Sequence, residues 1–323
     1  MKVYNITLVM DIAKNYKDNG FFVSKQIIGE KETQNTRDSL NNEFLNYDRN
    51  EGSALKISEI KDDELINQII NILYNEETKK IISDLEDYYK KPVSLLPPLE
   101  TIKNYHVNLK THLGWHRDCG GELEYDYCKE KLAKEDYLFT KVGVYLQENS
   151  DYGGSIDIIK TSHKNFSSFK ILLRKIKSTP LKFIQIFHKY FAKLYYFLPE
   201  KLFMFFINAK RLYPKPGSAV FFDSRLIHRG SPISKNKLNN VTFSKESVYK
   251  AKIPKQYDKY AIYSHFGTTE AVDSYMYDRL KRKGNSNELQ EWLNEVNLIE
   301  KFNPELAKKM HIVLEPIKIK YSS

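Results

Sequence analysis

The rhythm of hydrophobic and polar positions changes near residue 100. Upstream, apolar residues recur at helical spacing. In "ELINQIINILYNEETKKIISDLEDYY", Leu65, Ile69, Ile70, Ile72 and Leu73 fall close to a 3.6-residue repeat, and a second helix begins after Asn75. Residues 58–90 are therefore expected to be mostly helical. Before them, "YKDNGFFVSKQIIGEKETQNTRDSL" reads as a turn at Asn19–Gly20, a short strand through Phe21–Ile28, then a helix. "VSLLPPLET" reads as a connector, because two adjacent prolines stop both a helix and a strand ladder.

From about residue 101 the period becomes two. "YHVNLKTHL", "LFTKVGVYLQ", "SIDIIK", "SAVFFDS", "NVTFSKESVY" and "KYAIYSHFG" are short β-type runs separated by Gly, Asp, Asn and Pro. They predict a mainly β fold with flanking helices, its core a double-stranded β-helix of the jelly-roll, cupin-like kind. "TTEAVDSYMYDRLKRK" predicts a helix capped by Thr268 or Thr269, and another short helix follows after about residue 286. One catalytic domain over 1–323 accommodates all of this. Residues 1–100 supply a strand and helices, 101–163 and 214–267 the jelly-roll strands, 164–213 an insertion, and 268–323 the C-terminal helices.

Composition adds exclusions. Two cysteines, Cys119 and Cys128, are too few for a disulfide framework and lack the partners of a zinc knuckle, so a reducing cytoplasmic setting is expected. The N-terminus lacks the pattern of a signal peptide, and no window has the eighteen or so uninterrupted apolar residues of a spanning helix. The net charge of +10 is local: residues 164–215 hold twelve Lys/Arg against one acid, Glu200, and the remainder is close to neutral. That segment interleaves its charge with aromatic and aliphatic residues, and Pro180 and Pro199 divide it into about three short helices. Three roles stay open for it: a helical lid on the sandwich, a docking element for anionic membrane at the inner surface, and, least favoured, a nucleic-acid contact.

Candidate chemistry centres on "HLGWHRDCGGE". His116 and Asp118 stand two apart, so on a strand they share a face. A mononuclear iron(II) site uses two imidazoles and one carboxylate, leaving positions open. The third ligand must come from a distant strand, and "PKPGSAVFFDSRLIHRGSP" offers His228 between an apolar strand and a turn. His106 and His112 flank the motif as ordinary strand residues, and no nucleophile elbow is present for a Ser-His-Asp alternative.

The chain resembles the phytanoyl-CoA dioxygenase family of iron(II)/2-oxoglutarate oxygenases over roughly residues 12–282. "DNGFFVSKQII", "GWHRD", "KVGVYLQENSDYGGSIDIIKTSHK" and "PGSAVFFDSRLIHRGSP" carry the resemblance, in that order. It implies His116, Asp118 and His228 as iron ligands, with Fe(2+), 2-oxoglutarate and O2 as cofactors. The carboxylate that halogenating relatives replace is kept as Asp118, which implies hydroxylation. The family's usual arginine anchor for 2-oxoglutarate is missing, since Asn239 and Asn240 occupy its region. Lys259 is the expected substitute, with Arg225 and Lys245 as rivals and Asn108 a candidate for the chelating end. "KTSH" stands where the family favours Pro-Gly-Ser-His, so Lys160 and Thr161 depart from the pattern. The implied substrate is a small metabolite or a lipid- or glycan-linked intermediate. A non-catalytic jelly-roll binding module and a basic peripheral membrane protein remain the alternatives.

Overall fold

The structure, a computed structural model, describes residues 12–45, 53–104, 106–108, 115–118, 136–149, 152–164, 204–205, 207–243, 250–283 and 286–322. Helix α1 (12–19) ends at Gly20, whose φ of 81° suits only glycine. A Cβ there would also meet the His163 ring at 2.5 Å. Strand β1 (Phe21–Gln26) and helix α2 (Glu30–Leu45) follow, as the pattern predicts.

After β2 (Ser53–Lys56), the expected helical region resolves into α3 (Asp63–Leu73) and α4 (Glu76–Tyr89). Each begins where a side chain can cap it. Asp62 accepts from the backbone N–H groups of Glu64 and Leu65, and Asn75 accepts from that of Thr78. Leu65, Ile69, Ile70 and Ile72 are buried, so the apolar stripe faces the core.

The proline connector is a correction. Residues Val93–Asn104 form one strand, β3, running straight through Pro97 and Pro98. Its partner shifts register between Tyr263 and His265, opposite Leu96 to Glu100. The prolines fall in that irregularity, where the ladder does not call on their missing N–H groups.

β4 (His106–Asn108), β5 (Phe139–Tyr145), β6 (Ile156–Ile159), β7 (Ala209–Arg211), β8 (Ser218–Asp223), β9 (His228–Gly230), β10 (Thr242–Phe243), β11 (Lys250–Lys252) and β12 (Lys259–Thr268) complete the strands. One antiparallel sheet has the order β1-β8-β5-β12-β3-β2, and two three-stranded sheets run β7-β6-β9 and β10-β11-β4. Alternation along β12 divides the core. Tyr260, Ile262 and Phe266 join α3, α4 and the C-terminal helices on one face. Ala261 and Tyr263 pack on the other face with Tyr145, Val220 and Phe222, against Ile156 and Ile158 of β6. The large sheet and the β7-β6-β9 layer thus enclose a second apolar cluster, with helices flanking the outer side.

The C-terminus is more helical than its pattern suggested. α5 (Thr269–Lys283), with Thr268 Oγ1 accepting from Ala271 N–H at 3.4 Å, leads into α6 (Ser286–Phe302) and α7 (Pro304–Ser322). Leu289, Trp292, Val296 and Ile299 bury one face of α6, and Leu306, Met310 and Leu314 one face of α7. Each stripe is ordinary amphipathic spacing that finds the other and β3. Among the described residues no helix is long and apolar enough to cross a membrane. The basic insertion expected over 164–213 lies mainly outside the described residues.

Glu295 is buried within α6, near Ser58 and beside the Lys56–Glu291 ion pair. Burial pushes its carboxyl up to about 8, against partial relief from Lys56. An unfolded Glu titrates near 4.3, so between there and about 8 the native state holds the extra proton. Stability then falls as pH rises through that window, by up to about 1.4 kcal/mol per pH unit. Glu295→Gln is expected to flatten this slope and to be the more stable protein at pH 8. Urea midpoints taken from pH 5 to 8 check it, and parallel slopes in both proteins would refute it.

Candidate metal centre

His116 and His228 meet across an antiparallel bridge. Each donates its backbone N–H to the other's carbonyl at 2.9 Å. Residues paired this way point their side chains to the same side of the sheet, and the two imidazole centroids lie 4.4 Å apart. Asp118, two residues on, is held by its N–H donating to the Ser224 carbonyl at 2.9 Å. Its carboxylate oxygens sit 3.6 Å from each imidazole Nε2. One ligand atom from each of the three residues falls within 4.8 Å of the others.

Between the two, Arg117 points the other way. Its Nε donates to the Arg225 carbonyl at 2.6 Å and its Nη2 to the Ser162 carbonyl at 2.7 Å, which pins the segment from behind. Ser162 in turn accepts from Ile227 N–H, one residue before His228. His163 donates from Nε2 to the Lys17 carbonyl and takes no part in the triad. Thr161 adopts a φ of 60°, in the left-handed region that favours glycine.

The state of His228 follows from its neighbours. Nδ1 lies 3.0 Å from the Leu226 carbonyl, which can only accept, so Nδ1 carries the proton and Nε2 presents a lone pair. Burial pushes the imidazole down to about 4, with Asp118 opposing and His116 adding to the fall. It is neutral at pH 7, as a metal ligand must be. For Asp118, burial alone would raise the carboxyl. The Lys141 ammonium, helped by the adjacent imidazoles of His228 and His116, overcomes that and holds it well below the usual carboxylate range. The His116 side chain is half exposed, whereas that of His228 is 7% exposed, so the triad opens to solvent on the His116 side.

A buried clamp braces both ligand segments. Asp157 on β6 accepts from Arg211 on β7, and from Arg229 and Ser231 on and after β9. Arg229 is fully buried and its guanidinium lies 4.5 Å over the Trp115 ring, adjacent to His116. One carboxylate therefore organises residues next to both histidines.

No family model matches the chain, and no curated protein matches it. Solved structures of similar arrangement include HygX from Streptomyces hygroscopicus with nickel and 2-oxoglutarate bound, at 13% identity over 80% of this chain and 87% of that one, TM-score 0.49. The non-heme alpha ketoglutarate dependent epimerase SnoN from nogalamycin biosynthesis matches at 8% identity over 82% and 84%, TM-score 0.44. The carbocyclase SnoK from the same biosynthesis matches at 10% over 79% and 83%, TM-score 0.44.

Among the described residues, the Lys259 ammonium and the Arg225 guanidinium are engaged away from the triad. Lys259 begins β12, and its ammonium donates to the Glu148 carbonyl at 2.5 Å. It lines a cleft of about 760 Å³ with Gln26, Arg37, Gln147, Lys215 and Tyr257. Six residues of strand, about 20 Å, separate it from His265, which lies near Asp118. Ala261, Tyr145 and Val220 are packed in between. Arg225 forms a bidentate pair with Asp223, Nε–Oδ1 2.9 Å and Nη2–Oδ2 2.6 Å, and stacks over Tyr137. Asn108 pairs with Lys250 through the β4–β11 ladder. Lys245 lies outside the described residues.

Three residues of the site were not anticipated. Lys141 on β5 places its ammonium 3.2 Å from Asp118 Oδ2. Tyr263 lies beneath that ammonium, and Gly143 opposite makes room for it, since a Cβ there would meet the Tyr263 ring at 2.6 Å. His265 pairs with Lys141 across the β12–β5 ladder, and its buried Nδ1 has no hydrogen-bond partner among the described residues. The one signal in the sequence was a lysine amid the apolar run "LFTKVGVYL".

Proposed function

We propose that this protein is an iron(II)- and 2-oxoglutarate-dependent oxygenase of the phytanoyl-CoA dioxygenase type, built on a double-stranded β-helix. It would hydroxylate an unactivated C–H bond of a small metabolite or of a lipid- or glycan-linked intermediate. The observation that carries this is the triad. Two imidazoles and a carboxylate, drawn from two segments far apart in sequence, converge on one point, and that donor set suits iron(II) with open positions. The order of motifs around those residues supports the cosubstrate.

His116, Asp118 and His228 would hold the metal, which when bound supplies O2 chemistry coupled to decarboxylation of 2-oxoglutarate. The chain's own tasks are positional. The Leu226 carbonyl keeps His228 Nε2 unprotonated and aimed at the site. The Ser224 carbonyl holds the Asp118 backbone, and Arg117 locks the segment that bears two ligands. Phe222, 4.7 Å from the His228 ring, and the buried Ile159 and Ile227 exclude water from the inner side. The exposed side of His116 leaves a mouth for substrate.

The test is an anaerobic iron(II) titration followed by an uncoupled assay under O2. One equivalent of bound iron and succinate formation from 2-oxoglutarate are expected. Absence of iron binding would end the proposal. Iron binding without turnover would favour the binding module instead.

A further inference from the structure

β5 lies between β8 and β12 in the six-stranded sheet, so both its edges are paired. Lys141 stands mid-strand, opposite Phe222 on one side and His265 on the other. An apolar side chain would fit such a place, and a buried ammonium is costly unless it is compensated. Here the compensation is Asp118 Oδ2 at 3.2 Å, supplemented by the Tyr263 ring at 5.0 Å. An ammonium has three N–H donors, and Asp118 is the one carboxylate paired with it among the described residues.

That arrangement is balanced only while Asp118 keeps its charge to itself. A divalent ion held by the same carboxylate would leave two positive charges side by side in a partly buried site. The two imidazoles carry no negative charge to offset them. A dianionic dicarboxylate would balance both, provided that one carboxylate oxygen reaches the metal's edge beside Lys141.

We propose that Lys141 is the anion-binding residue that receives the metal-chelating carboxylate of the 2-oxo acid. This rests on the function proposed above. Two cations expected to anchor the other carboxylate do not compete at this end: the Arg225 guanidinium is neutralised by Asp223, and the Lys259 ammonium is bound to the Glu148 carbonyl at the other end of β12. The lysine thus has two partners in turn, Asp118 before the metal enters and the cosubstrate afterwards.

The experiment is an anaerobic calorimetric titration of 2-oxoglutarate into protein loaded with manganese(II), comparing wild type, Lys141→Met, Lys141→Gln and Lys141→Arg. The Met and Gln variants are expected to bind 2-oxoglutarate at least tenfold more weakly, and Arg to stay within about threefold of wild type. Manganese affinity without cosubstrate should be unchanged or tighter in the Met and Gln variants, because a repelling charge has gone. Wild-type affinity for 2-oxoglutarate in either folded variant would overturn the assignment. Two neutral variants of different polarity guard against one that fails to fold. A wild-type protein that binds no manganese(II) overturns the proposed function itself. One that binds manganese and 2-oxoglutarate, with Lys141→Met doing the same, overturns only the role of Lys141.

Discussion

Asp118→Ala and His228→Ala are each expected to weaken iron(II) binding by more than about a hundredfold and to abolish succinate formation. Losing even an outer partner of a metal ligand costs about 10–100-fold, so losing one of three ligands should cost more. The two variants should differ in their metal-free stability. Asp118→Ala strands the Lys141 ammonium, which is buried apart from 21% of its side chain, and should destabilise the fold by roughly 2–3 kcal/mol. His228→Ala removes a neutral imidazole between Phe222 and His116 and leaves no charge behind. Adding Lys141→Met to Asp118→Ala should therefore restore stability without restoring metal. Calorimetric iron titrations and urea midpoints on the single and double variants separate these effects. Iron affinity within tenfold of wild type in either single variant would remove that residue from the site.

The second large effect lies one layer deeper. Asp157→Ala should cost about 3–5 kcal/mol, because it leaves the fully buried Arg229 without the carboxylate that both its Nε and Nη2 engage. Three strand segments meet at this carboxylate, so β7, β6 and β9 should loosen together. Burial alone would raise the Asp157 carboxyl, but hydrogen bonds from Arg211 and the charges of Arg229 and Arg211 lower it. Its stabilisation is therefore complete above an unfolded value near 3.9 and is lost as pH falls through the native value beneath it. The variant should lose iron affinity as well, since Arg229 rests on the Trp115 ring beside His116. Urea unfolding from pH 3 to 7, run with an iron titration at pH 7, checks both parts. A midpoint shift of less than a quarter of the expected size would show that the clamp is dispensable.

Much of the frame was legible because it depends on neighbours in sequence. Helical spacing and the caps Asp62 and Asn75 mark α3 and α4, and period-two runs mark β5, β6, β8 and β12. The prolines at 97 and 98 depart from the local rule for the opposite reason. Whether a strand tolerates proline depends on what the adjacent strand requires there, and the register shift on β12 is a property of the pair. The two C-terminal helices gained their length in the same way, each by packing against the other and β3.

The site divides along the same line. His116 and Asp118 could be linked from their spacing, and His228 from the turn that follows it, because a donor set and a two-residue strand period are local facts. Nothing local pairs Lys141 with Asp118 or Asp157 with Arg229. The first pair joins β5 to a segment that lies against β9, and the second joins β6 to β9, so each is created by sheet order. Lys259 shows the converse: its strand resembles an anchor-bearing one, yet it stands at the start of β12, six residues of strand from His265, with its ammonium on the Glu148 carbonyl. By itself the sequence determined which donors are available and which of them share a face, since covalent spacing and backbone period suffice for that. Only the tertiary structure decided which charges lie beside those donors, because the pairing of distant strands selects the neighbours that surround each buried group.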